Sequence, residues 1–113
     1  MHEMSLCENL LRIIEESAET EQFSRVKTVF LEVGAFAGVE ADAMQFCFEV
    51  VCRGTIADSS ELIMTSLPVK ARCLQCSQTV TLTHRLSPCP ICQGFRLQYQ
   101  GGDEIRITQL EVS

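Results

Sequence analysis

Four of the seven cysteines stand in two matched pairs, Cys73-Leu-Gln-Cys76 and Cys89-Pro-Ile-Cys92, with twelve residues between the inner cysteines. A Cys-x-x-Cys turn aims two thiolates at one point, and two such turns facing each other complete a tetrahedron with Zn–S bonds of about 2.3 Å. Cys73, Cys76, Cys89 and Cys92 are therefore read as the ligands of a structural zinc. The spacing is slightly shorter than in the commonest two-pair ribbon. Dithiol redox chemistry is the rival reading, but one pair would suffice for it, and neither pair sits in a thioredoxin-like strand-to-helix setting. Cys7, Cys47 and Cys52 are scattered.

The second group able to do chemistry is the opening Met1-His2-Glu3. Met1 is expected to be retained, because the enzyme that removes it prefers a small second residue. The Met1 amine, the deprotonated His2 amide and the His2 Nδ1 can then form linked small rings around one metal, with Glu3 filling a fourth place. A planar set of N and O donors suits Ni(II) or Cu(II), whereas zinc prefers a tetrahedron. The ordinary reading of such an end is that it binds nothing.

The elements that must position these groups follow from periodicity. Leu6, Leu10, Ile13, Ile14 and Ala18 recur at helical spacing, and Ser5 to Glu8 fits a capping box, so a first helix is expected just after Glu3. Val26 to Val33 alternates as a strand and ends at Gly34. A second helix is expected over Glu40 to Cys52, with Met44, Cys47, Phe48 and Val51 on one face and Cys47 in the core. Phe46 and Phe48, two apart on that helix, cannot both face one core, which points one of them at a partner or self-association surface. Glu61 to Leu67 and Glu104 to Val112 are further strands, and Thr79 to Thr83 and Phe95 to Tyr99 are short strands of the cysteine-rich segment. Pro90 and Gly94 suit a tight loop, Gly94 by admitting positive φ. Pro68 and Gly101-Gly102 read as boundaries. The expected fold class is α+β: a small sheet with two helices, residues 1–67 with 103–113, plus a four-cysteine zinc-ribbon module, residues 68–102, inserted into it. That ribbon has too few large apolar residues to hold itself together, so its metal would supply folding free energy.

Charge and composition narrow the function. The chain has 113 residues and a net charge of -6, which disfavours a general nucleic-acid binder. Between Leu62 and Gly102 there is no Asp or Glu, while Lys70, Arg72, Arg85 and Arg96 make that stretch basic. A docking surface for an acidic partner and a plain solvated face both account for it. Apolar runs are far shorter than the ~18 residues of a membrane span, and no basic-then-apolar leader opens the chain, so a cytoplasmic protein with reduced cysteines is expected. No nucleophile with a base and no phosphate-binding glycine loop is visible, and a zinc held by four cysteines leaves no position for water. An enzyme is not expected.

Taken together, Met1-His2-Glu3 before a helix, the strand ending in Leu31-Glu-Val-Gly34, the helix carrying Phe46-Cys-Phe-Glu-Val-Val-Cys52, and the two cysteine pairs resemble the HypA/HybF family of hydrogenase nickel-insertion proteins. The resemblance covers essentially the whole chain. It implies a nickel metallochaperone with His2 as the essential Ni(II) ligand, Glu3 assisting, and a structural Zn(II) on the four cysteines. Glu40 matches an acidic position that lies near nickel in some members. It further implies a HypB-like GTPase that helps load nickel and the large subunit of [NiFe] hydrogenase as recipient; monomer and homodimer are both left open by the sequence, and its charge and short apolar runs point to neither nucleic acid nor membrane as partner. The runner-up is a zinc-ribbon adaptor with an incidental N-terminal histidine. His84 is expected as an exposed loop histidine, Cys7 as a small hydrophobe, and Glu40 as a charge complementing a helix dipole.

Overall fold

A computed structural model describes residues 3–113. Its element order is α1 (Glu3–Glu21), β1 (Val26–Gly34), α2 (Ala41–Cys52), β2 (Glu61–Leu67), β3 (Val69–Cys73), β4 (Thr79–Leu82), β5 (Leu97–Gln98) and β6 (Ile105–Val112). Two helices and two three-stranded sheets, ordered β2-β1-β6 and β4-β3-β5, make this an α+β fold as expected. No helix among the described residues is long and apolar enough to cross a membrane.

The chain divides into two compact units. The first runs to Leu31 and takes Val39–Thr65 and Arg106–Ser113; the second is Glu32–Gly38 with Ser66–Ile105. In the first unit the helices bury one stripe each: Cys7, Leu10 and Ile14 on α1, and Met44, Phe48 and Cys52 on α2. Two sequence expectations shift here. Ile13 is half exposed, the buried stripe running through Cys7, Leu10 and Ile14, and Cys47 is only partly buried while Cys52 is fully so. In both cases the cysteine lies on the 3–4 spacing of the buried stripe, and its small thiol fits where a larger side chain would crowd the facing helix. Ser5 lies inside α1, which already includes Glu3, so Ser5 is not the N-cap and the Ser5–Glu8 capping-box reading does not hold. Glu40, in extended backbone, caps α2 by accepting the Ala43 N–H at 2.7 Å.

The second unit is built on β3, which the sequence reading left between Pro68 and the first cysteine. Its Val69, Ala71 and Cys73 are buried alternately with exposed Lys70 and Arg72. It pairs antiparallel with β4, Val69 opposite Leu82 and Arg72 opposite Thr79, and with β5, Cys73 opposite Leu97. A five-residue run with two charges and one alanine carries little strand propensity, so its pairing on both sides decides its conformation. The core is small: Phe36, Val69, Ala71, Val80 and Leu82 with Cys73 and Cys89. Phe36 anchors it. Tyr99 meets its ring edge-on at 4.7 Å, the Arg85 guanidinium lies 5.5 Å from the ring centroid, and Arg85 also donates to the Phe36 carbonyl at 3.0 Å.

Gly102 closes that arrangement. It has φ of +94°, its carbonyl accepts the Phe36 N–H at 2.7 Å, and an added Cβ would lie 2.7 Å from Val69 Cγ2 and 2.9 Å from Phe36 Cδ2. Gly102→Ala should therefore lower the stability of the second unit by about 1 to 3 kcal/mol, from backbone strain and displacement of Phe36. Denaturant unfolding followed by Tyr99 fluorescence checks this; an unchanged midpoint would mean that Phe36 is not held as described.

Candidate metal centre

The two Cys-x-x-Cys turns are copies of one backbone device. Cys73 donates its N–H to Gln78 O at 2.9 Å and accepts at its carbonyl from Ser77 N at 2.9 Å. In the second turn Cys89 donates to Gly94 O at 2.7 Å and accepts from Gln93 N at 2.9 Å. Ser77 and Gln93, at the same place in each turn, both have positive φ, 64° and 67°. The left-handed residue of the second turn is thus Gln93, one before the glycine on which the sequence reading placed it. A Cβ at Gly94 would meet only the amide end of the exposed Gln75 side chain, which can swing aside.

This device converges the sulfurs. Cys73, Cys76, Cys89 and Cys92 place their Sγ atoms within 4.8 Å of one another, with Cys73 to Cys92 at 3.5 Å and Cys76 to Cys89 at 3.8 Å. A tetrahedron with metal–sulfur bonds of about 2.3 Å has edges of about 3.8 Å. The donor set and its spacing fit a four-coordinate thiolate metal of the zinc-ribbon kind. The first cysteine of each pair, Cys73 or Cys89, is fully shielded, Cys76 is half-buried and Cys92 is exposed.

Hydrogen bonds prepare the sulfurs unequally. The Cys76 N–H, 3.5 Å from Cys73 Sγ, is the main influence that brings the Cys73 thiol down to about 6, and the Cys92 N–H likewise lowers Cys89. For Cys76 the Gln78 N–H also acts downward, but burial and the thiols of Cys73, Cys89 and Cys92 together carry it up to about 12. Cys92 is likewise raised, the Gly94 N–H being outweighed by Cys73, burial and Cys89. Like charges this close cannot all ionise unaided, so a cation among them favours the four-thiolate state. His84 stands apart: it is exposed, and its Nδ1 accepts the Leu86 N–H at 3.2 Å.

At the other expected site, Met1 and His2 lie outside the described residues. Glu3 is in the first turn of α1, and its carboxylate accepts the Glu40 N–H at 3.2 Å. The starts of α1 and α2 are therefore joined by the two acidic residues singled out in the sequence. One turn into each helix, Cys7 is fully buried with its Sγ 3.7 Å from Met44 O and 3.8 Å from Met44 Sδ. Burial, then the nearby Cys47, Cys52 and Glu3, push the Cys7 thiol up to about 12; burial, then Asp58 and Glu15, push Cys52 up to about 11. Both remain protonated at neutral pH and serve as packing groups.

Comparison with known proteins places these features in a family. The family described as hydrogenase/urease nickel incorporation, metallochaperone, hypA matches residues 1–112. The hydrogenase maturation factor HypA of Alkalilimnicola ehrlichii is 54% identical over 112 residues, 99% of each chain, and that of Paracoccus denitrificans 51% identical over the same span and share. Among solved structures, the Ni metallochaperone HypA from Helicobacter pylori superposes with a TM-score of 0.67 at 22% identity, covering 99% of this chain and 97% of that one. That likeness bears on the fold.

Two outcomes are expected. Cys73→Ser or Cys92→Ser should empty the four-sulfur site and unpair β3 from β5, read by metal analysis and amide spectra; full metal content with an unchanged spectrum would exclude the four-cysteine centre. Alkali should act through Cys7 and Cys52: their folded values of about 12 and 11 exceed the ordinary 9.0. Above pH 9 the unfolded chain loses these protons first, so their contribution, complete below 9, falls as pH rises toward 11 to 12. Cys7→Ala should flatten that decline in unfolding curves, and a decline as steep as in the unaltered protein would show that Cys7 does not drive it.

Proposed function

The chain belongs to the HypA family of hydrogenase and urease nickel-incorporation proteins, and from that membership we propose that it is a nickel metallochaperone of [NiFe] hydrogenase maturation with two separate metal sites. Zn(II) on Cys73, Cys76, Cys89 and Cys92 is structural, within residues 68–102. Ni(II) is cargo, taken at the N-terminus by His2 and Glu3, with Glu40 beside them, in the α/β part formed by residues 1–67 and 103–113. The protein works in the cytoplasm with a HypB-like GTPase and hands nickel to the hydrogenase large subunit.

The observation that supports the nickel reading best is the carboxylate of Glu3 on the Glu40 N–H, which ties the beginning of α1 to the beginning of α2. A donor set at a chain end loses most of its affinity to chain entropy unless the end is held. Here the residue next to His2 is held. The Glu40 carboxylate, which caps Ala43, adds negative charge at the same corner, where it favours a dication and also complements the α2 dipole. The Met1 amine, the His2 amide and Nδ1 supply the planar nitrogen donors that Ni(II) prefers. The zinc reading rests on the four-sulfur spacing, since four thiolates saturate the metal and leave no site for catalysis.

Delivery requires that nickel be released. Nickel should be held in the micromolar range, on the order of 8 kcal/mol, against about 10 to 16 kcal/mol for zinc in thiolate sites. In protein with a native N-terminus, His2→Ala should abolish nickel binding while zinc stays at one per chain, and acetylating the Met1 amine should weaken nickel. Loss of both metals in His2→Ala would refute two independent sites. Undiminished nickel in that variant, measured by titration calorimetry and metal analysis, would remove the N-terminus as the cargo site.

A further inference from the structure

Helix α2 turns two faces in different directions. Met44, Phe48 and Cys52 are buried, whereas Phe46, Glu49 and Arg53 follow at three- and four-residue spacing along the exposed side, with Phe46 63% exposed. That settles which of the two phenylalanines faces outward. The exposed side walls an open cleft of about 820 Å³ whose opposite wall is the segment from Asp58 to Leu62, all of it within the first unit.

The walls are fixed. Gln45 Nε2 donates to Leu62 O at 2.8 Å and ties helix to strand at the cleft's base. Asp58 accepts the Gly54 N–H at 3.1 Å, and Thr55 Oγ1 donates to Cys52 O at 2.6 Å, so the turn after α2 is braced by its own side chains. Ser59 and Ser60 complete the same wall.

Charge selects the occupant. The cleft carries Glu49, Asp58 and Glu61 against Arg53 alone, and Arg53 is already paired with Glu49 at 3.8 Å. The surrounding unit holds twelve of the chain's fifteen acidic residues and only five of its nine basic ones. Such a field attracts cationic segments and repels acidic ones during encounter. An exposed aromatic in a concave, rigid, acid-rimmed surface is the composition of an interface centre.

We propose that this cleft docks a segment of another protein in which Lys or Arg residues flank a large apolar side chain, the apolar group packing on Phe46 and the cations meeting Glu49 and Glu61. The inference uses no metal donor and stands apart from the nickel reading. To test it, a random peptide library is selected on the immobilised, zinc-loaded full chain, and the enriched peptides are measured by fluorescence anisotropy. They should combine basic and large apolar residues, bind Phe46→Ser and the Glu49→Lys/Glu61→Lys pair at least tenfold more weakly, and shift the amide signals of Gln45 to Arg53 and Ser59 to Leu62. Circular dichroism and zinc content establish that both variants are folded. The proposal is overturned by peptides that are acidic or uncharged, by equal binding to Phe46→Ser, or by a failure to enrich any peptide above a blank surface. Sedimentation velocity closes the remaining route: a dimer that forms in the unaltered protein and is lost in Phe46→Ser would assign the cleft to a second copy and also overturn it.

Discussion

Four cysteine sulfurs drawn within 4.8 Å of one another form the constraint on which the second unit depends. Thiolates at such distances repel, and the unit around them has little else to offset that repulsion: a core of five apolar side chains besides the two buried cysteines, and a β5 of only two residues. A dication at the centre would reverse the sign of the interaction and turn the cluster into a staple. The backbone anticipates this. In each turn the N–H of the second cysteine points at the sulfur of the first, so one thiol of each pair is eased toward ionisation before any metal arrives.

The duplicated turn also explains features that would be oddities singly. Positive φ at Ser77 and Gln93, both non-glycine, is a local cost that each turn bears because the carbonyl of the following residue, Gln78 or Gly94, must fold back to accept the N–H of Cys73 or Cys89. Gln75 of the first turn reaches past the second, its Oε1 accepting the Arg96 N–H at 3.4 Å.

The first unit is organised on another principle. Its helices meet along a stripe of sulfur and hydrocarbon, Cys7 against Met44, with acidic groups at the helix starts. Polarizable, narrow side chains let α1 and α2 pack closely there. The unit is strongly acidic on its surface, whereas the segment between the cysteine pairs is free of carboxylates. The acid-free segment and the acidic first unit thus differ in charge, while the second unit as a whole, with Glu32, Asp103 and Glu104 against four basic residues, is close to neutral.

The cysteine ligands, the two helices, β1, β2, β6 and the acid-free segment were legible in the sequence, because each rests on a local signal: fixed ligand spacing, 3.6-residue or two-residue periodicity, or charge counted along the chain. What tertiary structure alone decided are the matters of pairing and space. Val69–Cys73 is the central strand of its sheet through neighbours on both sides, though its own residues have weak preference. Cys52 displaced Cys47 from the core, and Phe46 faced the cleft while Phe48 went inward, because helix rotation is set by the facing helix and a pattern of closely spaced apolar residues admits more than one rotation. The left-handed residue of the second turn is Gln93 and not Gly94, because the backbone pairing of Cys89 with Gln93 and Gly94 decides where the chain must reverse.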